Sequence, residues 1–176
     1  MKHNSEITEK IKTAFERDGH AIELRPSVGK KTAVTKVRVL EGLHSQAEEG
    51  RWTVAADGSE KSGGTALAPD PSLIARSALG LCFAMGYVTW AAHLGVPVSG
   101  VEVEIQGDFD VRGQHGTPGV PPGYSEIRYL VSIESTAPEA DIQRVVDEAD
   151  RSSMVGDVFR RAQTLVRTIA VSRPGA

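Results

Sequence analysis

Residues 70–94 read DPSLIARSALGLCFAMGYVTWAAHL, and this stretch decides how the rest of the chain is arranged. Asp70 followed by Pro71 is typical of a helix start, because the carboxylate accepts hydrogen bonds from the first turn and proline has no N–H to leave unpaired there. The pattern predicts a helix that runs to about Leu94, just before Gly95. Apolar residues occur all round this helix, which predicts that it is buried on nearly every side.

Shorter elements flank the central helix. Helical spacing of apolar residues predicts an amphipathic helix that begins near Ser5 and stops at Asp18-Gly19. Alternating apolar and polar residues predict half-buried strands. These strands cover residues 32–40, 43–47, 51–56, 101–105, 127–133 and 165–171, and a capping box at residues 136–139 starts the last long helix. Because the strands come in antiparallel runs and not in βαβ alternation, the predicted fold class is α+β.

Length and composition limit the classes of protein to which this chain can belong. A chain of 176 residues with 40% hydrophobic and 24% charged residues is typical of one soluble globular domain. A net charge of −3 gives no basic surface for nucleic acid. The stretch 77–94 holds no Asp, Glu, Lys or Arg, but small and polar residues dilute it, so we interpret it as a buried helix and expect no membrane partner. The N-terminus lacks the apolar run of a secretory signal, and we expect a cytoplasmic protein.

Cys82 is the only cysteine in the chain. One thiol cannot form an intrachain disulfide or a cysteine-based zinc site, and a single thiol suits a reducing compartment. Cys82 lies midway along the central helix, on a face of mostly small residues. Free cysteines are usually buried and inert, so the position alone leaves a packing role and a reactive role both open.

Other kinds of site find little support in the sequence. There is no Gly-x-Ser-x-Gly elbow, no phosphate-binding loop and no dinucleotide fingerprint, so we expect no cofactor. Asp108 and Asp110 lie at strand spacing with His115 nearby, which fits either a metal site or, more simply, a solvated strand end. We therefore expect no metal.

Three ordered stretches resemble the OsmC/Ohr family. Residues 71–85 give a proline-led helix of small residues followed by Cys-Phe, residues 94–104 (LGVPVSGVEVE) match the family's G-(I/V)-P-V-x-x-V-x-V turn, and residues 149–153 (ADRSS) fall on A-D-x-x-C-P. The resemblance implies an OsmC-like fold in which antiparallel sheets pack around a long buried central helix in an intertwined homodimer. It also implies one domain over residues 1–176, with an N-terminal helical extension over 1–30 and a family core over 31–172.

The family's enzymes reduce organic hydroperoxides. A first cysteine attacks the peroxide as a thiolate and becomes a sulfenic acid, a second cysteine resolves it to a disulfide, and an external dithiol reduces that disulfide. An arginine, held by a glutamate near the start of the central helix, favours the thiolate, because a neighbouring cation stabilises negative charge on sulfur.

This sequence matches that machinery only in part. Cys82 falls on the peroxide-attacking cysteine, but Ser153 replaces the resolving cysteine, Met154 follows it in place of proline, and Ser72 replaces the glutamate. No arginine matches the activating position clearly. The candidate cationic neighbours are Arg38, Arg51 and Arg76.

Two hypotheses follow. In the first, Cys82 alone reduces organic hydroperoxides and an external thiol regenerates it. In the second, the protein is a non-catalytic member of the fold that binds a small apolar molecule in a dimer-interface pocket, which Cys82 only lines. The other residues expected around this pocket are Phe83, Met85 and Trp90. The Gly/Pro-rich residues 113–123 form either a lid or a surface turn.

Overall fold

A computed structural model of the protein describes residues 5–173, and its long helices and its strands follow the predicted order as far as residue 152. In chain order they are α1 (Ser5–Leu24), β1 (Lys36–Glu41), β2 (His44–Glu49), β3 (Trp52–Ala56), α2 (Pro71–Leu94), β4 (Gly100–Phe109), α3 (Val111–Gln114), β5 (Tyr124–Glu134), α4 (Glu139–Ser152) and α5 (Met154–Arg160). Short 3-10 turns occupy Pro26–Gly29 and Glu60–Ser62. The fold is α+β.

The strands form two separate antiparallel sheets. One has the order β1-β2-β3, and the other is the long hairpin-like pair β4-β5. In the second sheet Val103 lies opposite Val131 and Ile105 opposite Tyr129. This register turns the alternating apolar residues of both strands towards α2, as the period of two requires.

α2 starts and ends where the sequence predicts. The Asp70 carboxylate accepts the N–H groups of Ser72 at 2.8 Å and Leu73 at 3.1 Å. Gly95 closes the helix in the left-handed conformation, with φ of 70°, which glycine adopts without a steric penalty.

The core lies where α2 meets the β4-β5 sheet and α4. Leu79, Phe83 and Tyr87 form the buried face of α2, and Val145 is the fully buried residue of α4. A small-residue contact brings the two helices close, because a Cβ built on Gly86 would lie 3.4 Å from the Cβ of Ala149. This close approach fixes the end of α4 against the middle of α2.

Within one chain, the opposite face of α2 is not buried. Leu81 is 63% exposed and Met85 is 69% exposed, so the expectation of a helix buried on nearly every side is not met in the single chain. The β1-β2-β3 sheet is also uncovered. Every residue of β1 is exposed, whereas the sequence predicts a half-buried strand. In both cases the apolar pattern is present and no part of the described chain covers it.

Two predictions are wrong: the C-terminal end of the first helix and the strand over residues 165–171. The first helix continues through Asp18-Gly19 to Leu24, because a single glycine in a helix costs only about 1 kcal/mol and good helix formers follow it. Residues 165–171 form no strand and have no regular secondary structure, with Leu165 94% exposed. A strand needs a neighbour to pair with, and none lies beside this segment in the described residues.

The start of α4 also differs from its prediction. Pro138 is the N-cap residue and no side chain caps the helix there, so the expected capping box is absent. The Ser135 hydroxyl instead accepts the N–H of Ala137 at 3.0 Å, which turns the chain into α4.

Candidate functional site at Cys82

Cys82 lies beside Ser153 at the junction of three helices. The Cys82 sulfur is partly buried at the edge of the core face of α2, and Ser153 is the single residue between α4 and α5. The distance from Sγ to the Ser153 Oγ is 3.2 Å, within hydrogen-bonding range for sulfur. The close packing of Gly86 against Ala149 places the end of α4 here. The structure therefore brings together the two residues that the sequence placed at the family's cysteine positions.

Ser153 is held firmly. It is 7% exposed, and its Oγ accepts the N–H of Gly156 at 3.0 Å as the N-cap of α5. A serine hydroxyl has one proton to donate and two lone pairs to accept with. One lone pair accepts from Gly156, which leaves one lone pair to accept the S–H of a Cys82 thiol and one proton to donate to a Cys82 thiolate.

A partly buried hydrogen-bond network lies beside this junction. The Tyr87 hydroxyl donates to one carboxylate oxygen of Asp150 at 2.7 Å, and the Tyr129 hydroxyl donates to the other at 2.6 Å. Burial, together with these hydrogen bonds to Asp150, raises the pKa of Tyr87 and of Tyr129. Both tyrosines are therefore neutral donors at physiological pH, and they tie α4 to α2 and β5.

Arg160 completes the network from α5. Its guanidinium donates to the backbone carbonyl of Asp150 at 2.5 Å and lies over the Phe83 ring, 5.8 Å from the ring centroid. Sequence reasoning missed Arg160 and the two tyrosines. The one signal for this network in the sequence was Asp150, which lies three residues before Ser153 in the ADRSS stretch.

Arg76 does not contact Cys82. Its guanidinium donates to the Tyr124 hydroxyl at 2.7 Å and to the Ser72 Oγ at 3.2 Å. Ser72 in turn donates its hydroxyl to the carboxylate of Asp70. Ser72, at the position of the family's glutamate, thus holds an arginine of its own helix near the N-terminus of α2.

The other two candidate arginines lie on the exposed β1-β2-β3 sheet. Arg38 is 3.7 Å from the Glu48 carboxylate, and Arg51 stacks over the ring of Trp52 at 4.6 Å. Between residues 5 and 173, no hydrogen bond joins Cys82 to an arginine; its hydrogen-bond partner is Ser153.

The three predicted pocket residues lie in different parts of the structure. Phe83 is 2% exposed in the core, whereas Met85 lies on the open face of α2. Trp90 packs edge-on against Phe15 of α1, with ring centroids 5.3 Å apart. In the single chain these three side chains do not share one pocket with Cys82.

A family model for OsmC-like proteins matches residues 63–167, which include α2, the β4-β5 sheet, α4 and α5. The chain belongs to the OsmC-like family. No curated protein sequence matches it.

Solved structures share the OsmC-like fold over most of the chain. An OsmC-like protein from Mycoplasma pneumoniae is 16% identical, with a TM-score of 0.65 over 76% of this chain and 90% of that one. An organic hydroperoxide resistance protein OsmC from Legionella pneumophila is 14% identical, with a TM-score of 0.53 over 74% and 90%. An OsmC-like protein of unknown function from Vibrio cholerae is 12% identical, with a TM-score of 0.55 over 73% and 93%. At these identities the likeness concerns the fold.

The place of α2 in the core accounts for much of its apolar character. By length and composition alone this helix is long and apolar enough to cross a membrane. In this chain α2 contributes Leu79, Phe83, Tyr87 and Ala91 to the core. A core helix of a soluble protein passes the same test of length and hydropathy.

Two other regions considered in the sequence are the acidic pair Asp108 and Asp110 and the Gly/Pro-rich loop of residues 113–123. Asp108 and Asp110 each pair with an arginine, Arg128 and Arg112, which lowers the pKa of both carboxyls. Within residues 5–173, no group of three or more His, Cys, Asp or Glu side chains is placed to hold a metal ion. The loop of residues 113–123 folds back on itself, because Gly113 lies against the backbone of Pro121 so closely that a Cβ would collide with it.

Proposed function

We propose that this OsmC-like protein reduces organic hydroperoxides at Cys82 and that an external thiol regenerates it. One observation carries the proposal: the Cys82 sulfur has a fixed hydroxyl partner, Ser153, at 3.2 Å, in a partly buried position. Family membership supports the chemistry, and an OsmC-like relative of the same fold is an organic hydroperoxide resistance protein.

The reaction begins with attack on the peroxide. The Cys82 thiolate attacks the terminal oxygen of the hydroperoxide, so that an S–O bond forms and the O–O bond breaks. The departing alkoxide takes a proton and leaves as an alcohol, while Cys82 becomes a sulfenic acid. The sulfur is oxidised by two electrons and the peroxide is reduced by two.

Regeneration requires two equivalents of an external thiol. The first attacks the Cys82 sulfur, which forms a mixed disulfide and releases the sulfenic oxygen as water. The second attacks the sulfur of the first reductant, frees Cys82 as a thiol and leaves with its partner as a disulfide. Ser153 cannot take the role of a resolving cysteine, because a hydroxyl does not form a disulfide.

Ser153 has a different role in this scheme. When Cys82 is a thiolate the Ser153 hydroxyl is the donor of their hydrogen bond, and a hydrogen bond to the charged form of a group favours that form. We infer that Ser153 stabilises the thiolate before the reaction and the sulfenic oxygen after it. The rigid N-cap contact with Gly156 keeps the hydroxyl in place through both steps.

We also propose that the protein is a homodimer. The apolar side chains without cover lie on the outer face of α2, on the β1-β2-β3 sheet and in residues 162–173, which have no regular secondary structure. They include Leu81, Met85, Val37, Val39, Trp52, Leu165 and Val166. Exposed apolar surface of this extent marks an interaction site. In a homodimer the exposed sheet of one copy would bring Arg38 or Arg51 to the other copy as a candidate cation for Cys82.

The second candidate function is non-catalytic binding of a small apolar molecule near Cys82. The observation that favours it is the lack of any hydrogen bond between Cys82 and an arginine among residues 5–173, because a thiol with no cation beside it ionises less readily. We place both functions in the cytoplasm, where a lone thiol stays reduced.

Stopped-flow kinetics of the reduced protein with cumene hydroperoxide distinguish the two functions. We expect Cys82 to react faster than free cysteine and to form a sulfenic acid that dimedone traps, detected by mass spectrometry. Cys82→Ser is the matched control and should consume no peroxide. If Cys82 reacts no faster than free cysteine and dimedone labels nothing, the enzymatic function is excluded.

A further inference from the structure

The contacts between α2 and the end of α4 follow one register. The Cys82 sulfur lies 3.2 Å from the Ser153 hydroxyl. One helical turn further along α2, Gly86 packs against Ala149, which lies one turn before Ser153. The contacts therefore advance along α2 while they go back along α4. Any slip of one helix along the other would separate the Ser153 hydroxyl from the sulfur.

A hydrogen bond between side chains locks this register. The Tyr87 hydroxyl, next to the Gly86 contact, donates to one carboxylate oxygen of Asp150 at 2.7 Å. Tyr87 is 0% exposed and its ring stacks with that of Phe83, so its hydroxyl has a fixed position. A slip of α4 by one residue would displace Asp150 by about 1.5 Å along the helix axis, which would break this bond.

Asp150 is held from two other elements as well. The Tyr129 hydroxyl of β5 donates to the second carboxylate oxygen at 2.6 Å. The Arg160 guanidinium of α5 donates to the backbone carbonyl of Asp150 at 2.5 Å. Ser153 is the single residue between α4 and α5, and it follows Asp150 by less than one helical turn. The bonds at Asp150 therefore fix the last turn of α4, from which the Ser153 hydroxyl projects.

The rest of α4 is held in a different way. Val145 and Ala149 pack into the apolar core. Apolar packing is not directional, whereas a hydrogen bond weakens steeply with distance and angle. Core packing keeps α4 on α2, but the directional bonds to Asp150 are the ones that can hold a hydroxyl at a set distance from sulfur.

We propose that Asp150 is a positioning residue for the chemistry at Cys82: bound by Tyr87 and Tyr129, it keeps the Ser153 hydroxyl at hydrogen-bonding distance from the sulfur. This inference rests on the proposed function, in which that hydroxyl stabilises the Cys82 thiolate. A carboxylate has the same sign of charge as a thiolate, so the direct electrostatic effect of Asp150 disfavours the thiolate. Its effect through Ser153 has the opposite sign, and the two effects can be separated by experiment.

Thiolate formation in the full chain tests the inference without peroxide. The measured quantity is the pH profile of the ultraviolet absorbance of the thiolate, with Cys82→Ser as the blank. Asp150→Ala removes the acceptor of both tyrosines, and we expect its profile to lie about one pH unit above that of the wild type. Loss of the charge alone would move the profile the other way. Asp147→Ala removes the same charge from an exposed position one turn earlier and should not raise the profile.

Tyr87→Phe breaks the same contact without a change of charge. The variant retains the buried ring, so it keeps the fold even where Asp150→Ala does not. We expect its profile to rise by about half a pH unit, because Tyr129 still holds Asp150. Tyr124→Phe is the matched control, since the hydroxyl it removes bonds Arg76 and not the junction at Ser153, and it should leave the profile unchanged.

Ser153→Ala separates this inference from the proposed function. If its profile equals that of the wild type, the hydroxyl does not stabilise the thiolate, and the proposed role of Ser153 fails together with the inference. If Ser153→Ala raises the profile but Asp150→Ala and Tyr87→Phe do not, only the positioning role of Asp150 is wrong. In the Ser153→Ala background, Asp150→Ala should give no further rise. An equal rise there would show that Asp150 acts on the sulfur by another route and would also overturn the inference.

Discussion

The Ser153 hydroxyl lies 3.2 Å from the Cys82 sulfur although 71 residues separate them in the chain. The same oxygen caps α5 by accepting the N–H of Gly156. One side chain therefore sets both the local helix geometry and the surroundings of the only thiol. Substitutions at Ser153 separate these two roles.

Ser153→Cys should create an intrachain disulfide with Cys82, because the two side chains already approach within hydrogen-bonding distance. We expect mild oxidation with an organic hydroperoxide to remove two hydrogens from the variant, measured by intact mass, and to protect both thiols from alkylation. Ser152→Cys is the matched control, since its side chain is exposed one residue earlier. Equal disulfide formation in both variants would show that the observed pairing is not specific.

Ser153→Ala should act on stability and on reactivity together. Loss of the N-cap costs about 1 kcal/mol in unfolding free energy, measured by urea denaturation. Loss of the donor to sulfur should also slow sulfenic acid formation, measured by stopped flow. Ser153→Thr keeps the hydroxyl and should restore both. Reactivity that is unchanged in Ser153→Ala would remove Ser153 from the proposed mechanism.

Asp150→Asn should destabilise the junction of α2, α4 and β5. Hydrogen bonds to a charged acceptor contribute about 1.5–3 kcal/mol each, and Tyr87, which is fully buried, would lose its charged partner. We expect a loss of about 2 kcal/mol in unfolding free energy. Asp147→Asn, one turn earlier on α4, is the control and should change it by less than about 0.5 kcal/mol, as exposed substitutions do. A similar loss in both variants would contradict the role given to Asp150.

Asp70 should make the stability of the protein depend on acid pH. The Ser72 hydroxyl, followed by backbone N–H groups, lowers the pKa of Asp70 below its ordinary 3.8. A carboxyl with a lower pKa in the folded chain stabilises the fold above the unfolded value, and this contribution is lost as the pH falls through the folded pKa. Asp70→Asn keeps the cap and removes the charge, so the wild type should be about 0.5 kcal/mol more stable at pH 7.

Urea denaturation of both proteins between pH 7 and pH 2.5 checks this expectation. The difference in unfolding free energy should shrink as the pH falls below 3.8 and disappear once the folded carboxyl is protonated as well. Ser72→Ala, which removes the largest cause of the lowered pKa, should move that loss to higher pH. A difference that is constant over the whole range would contradict the assignment.

Local signals in the sequence predicted most of the elements. Asp70, Pro71 and Gly95 fixed both ends of α2, because caps depend on residues next to each other in the chain. Alternation located β4 and β5 for the same reason. The strand over residues 165–171 failed because a strand exists only with a neighbour, and its neighbour cannot be inferred from alternation.

The site was predictable only through the resemblance. Nothing in the spacing of Cys82 and Ser153 indicates contact across 71 residues, and the matched motifs supplied that pairing. Motifs did not supply the contacts of Arg76, which depend on Tyr124 from β5. Likewise the Asp150 network joins three elements, so no single stretch of sequence contains it.

The β1-β2-β3 sheet has a consequence for any measurement of stability. Its apolar side chains gain nothing from folding until something covers them, and in the proposed homodimer that cover is a second chain. Unfolding of one dimer then gives two separate chains, so the folding equilibrium depends on the protein concentration. The melting temperature should rise with protein concentration, and dilution alone should unfold a chain that is stable when concentrated.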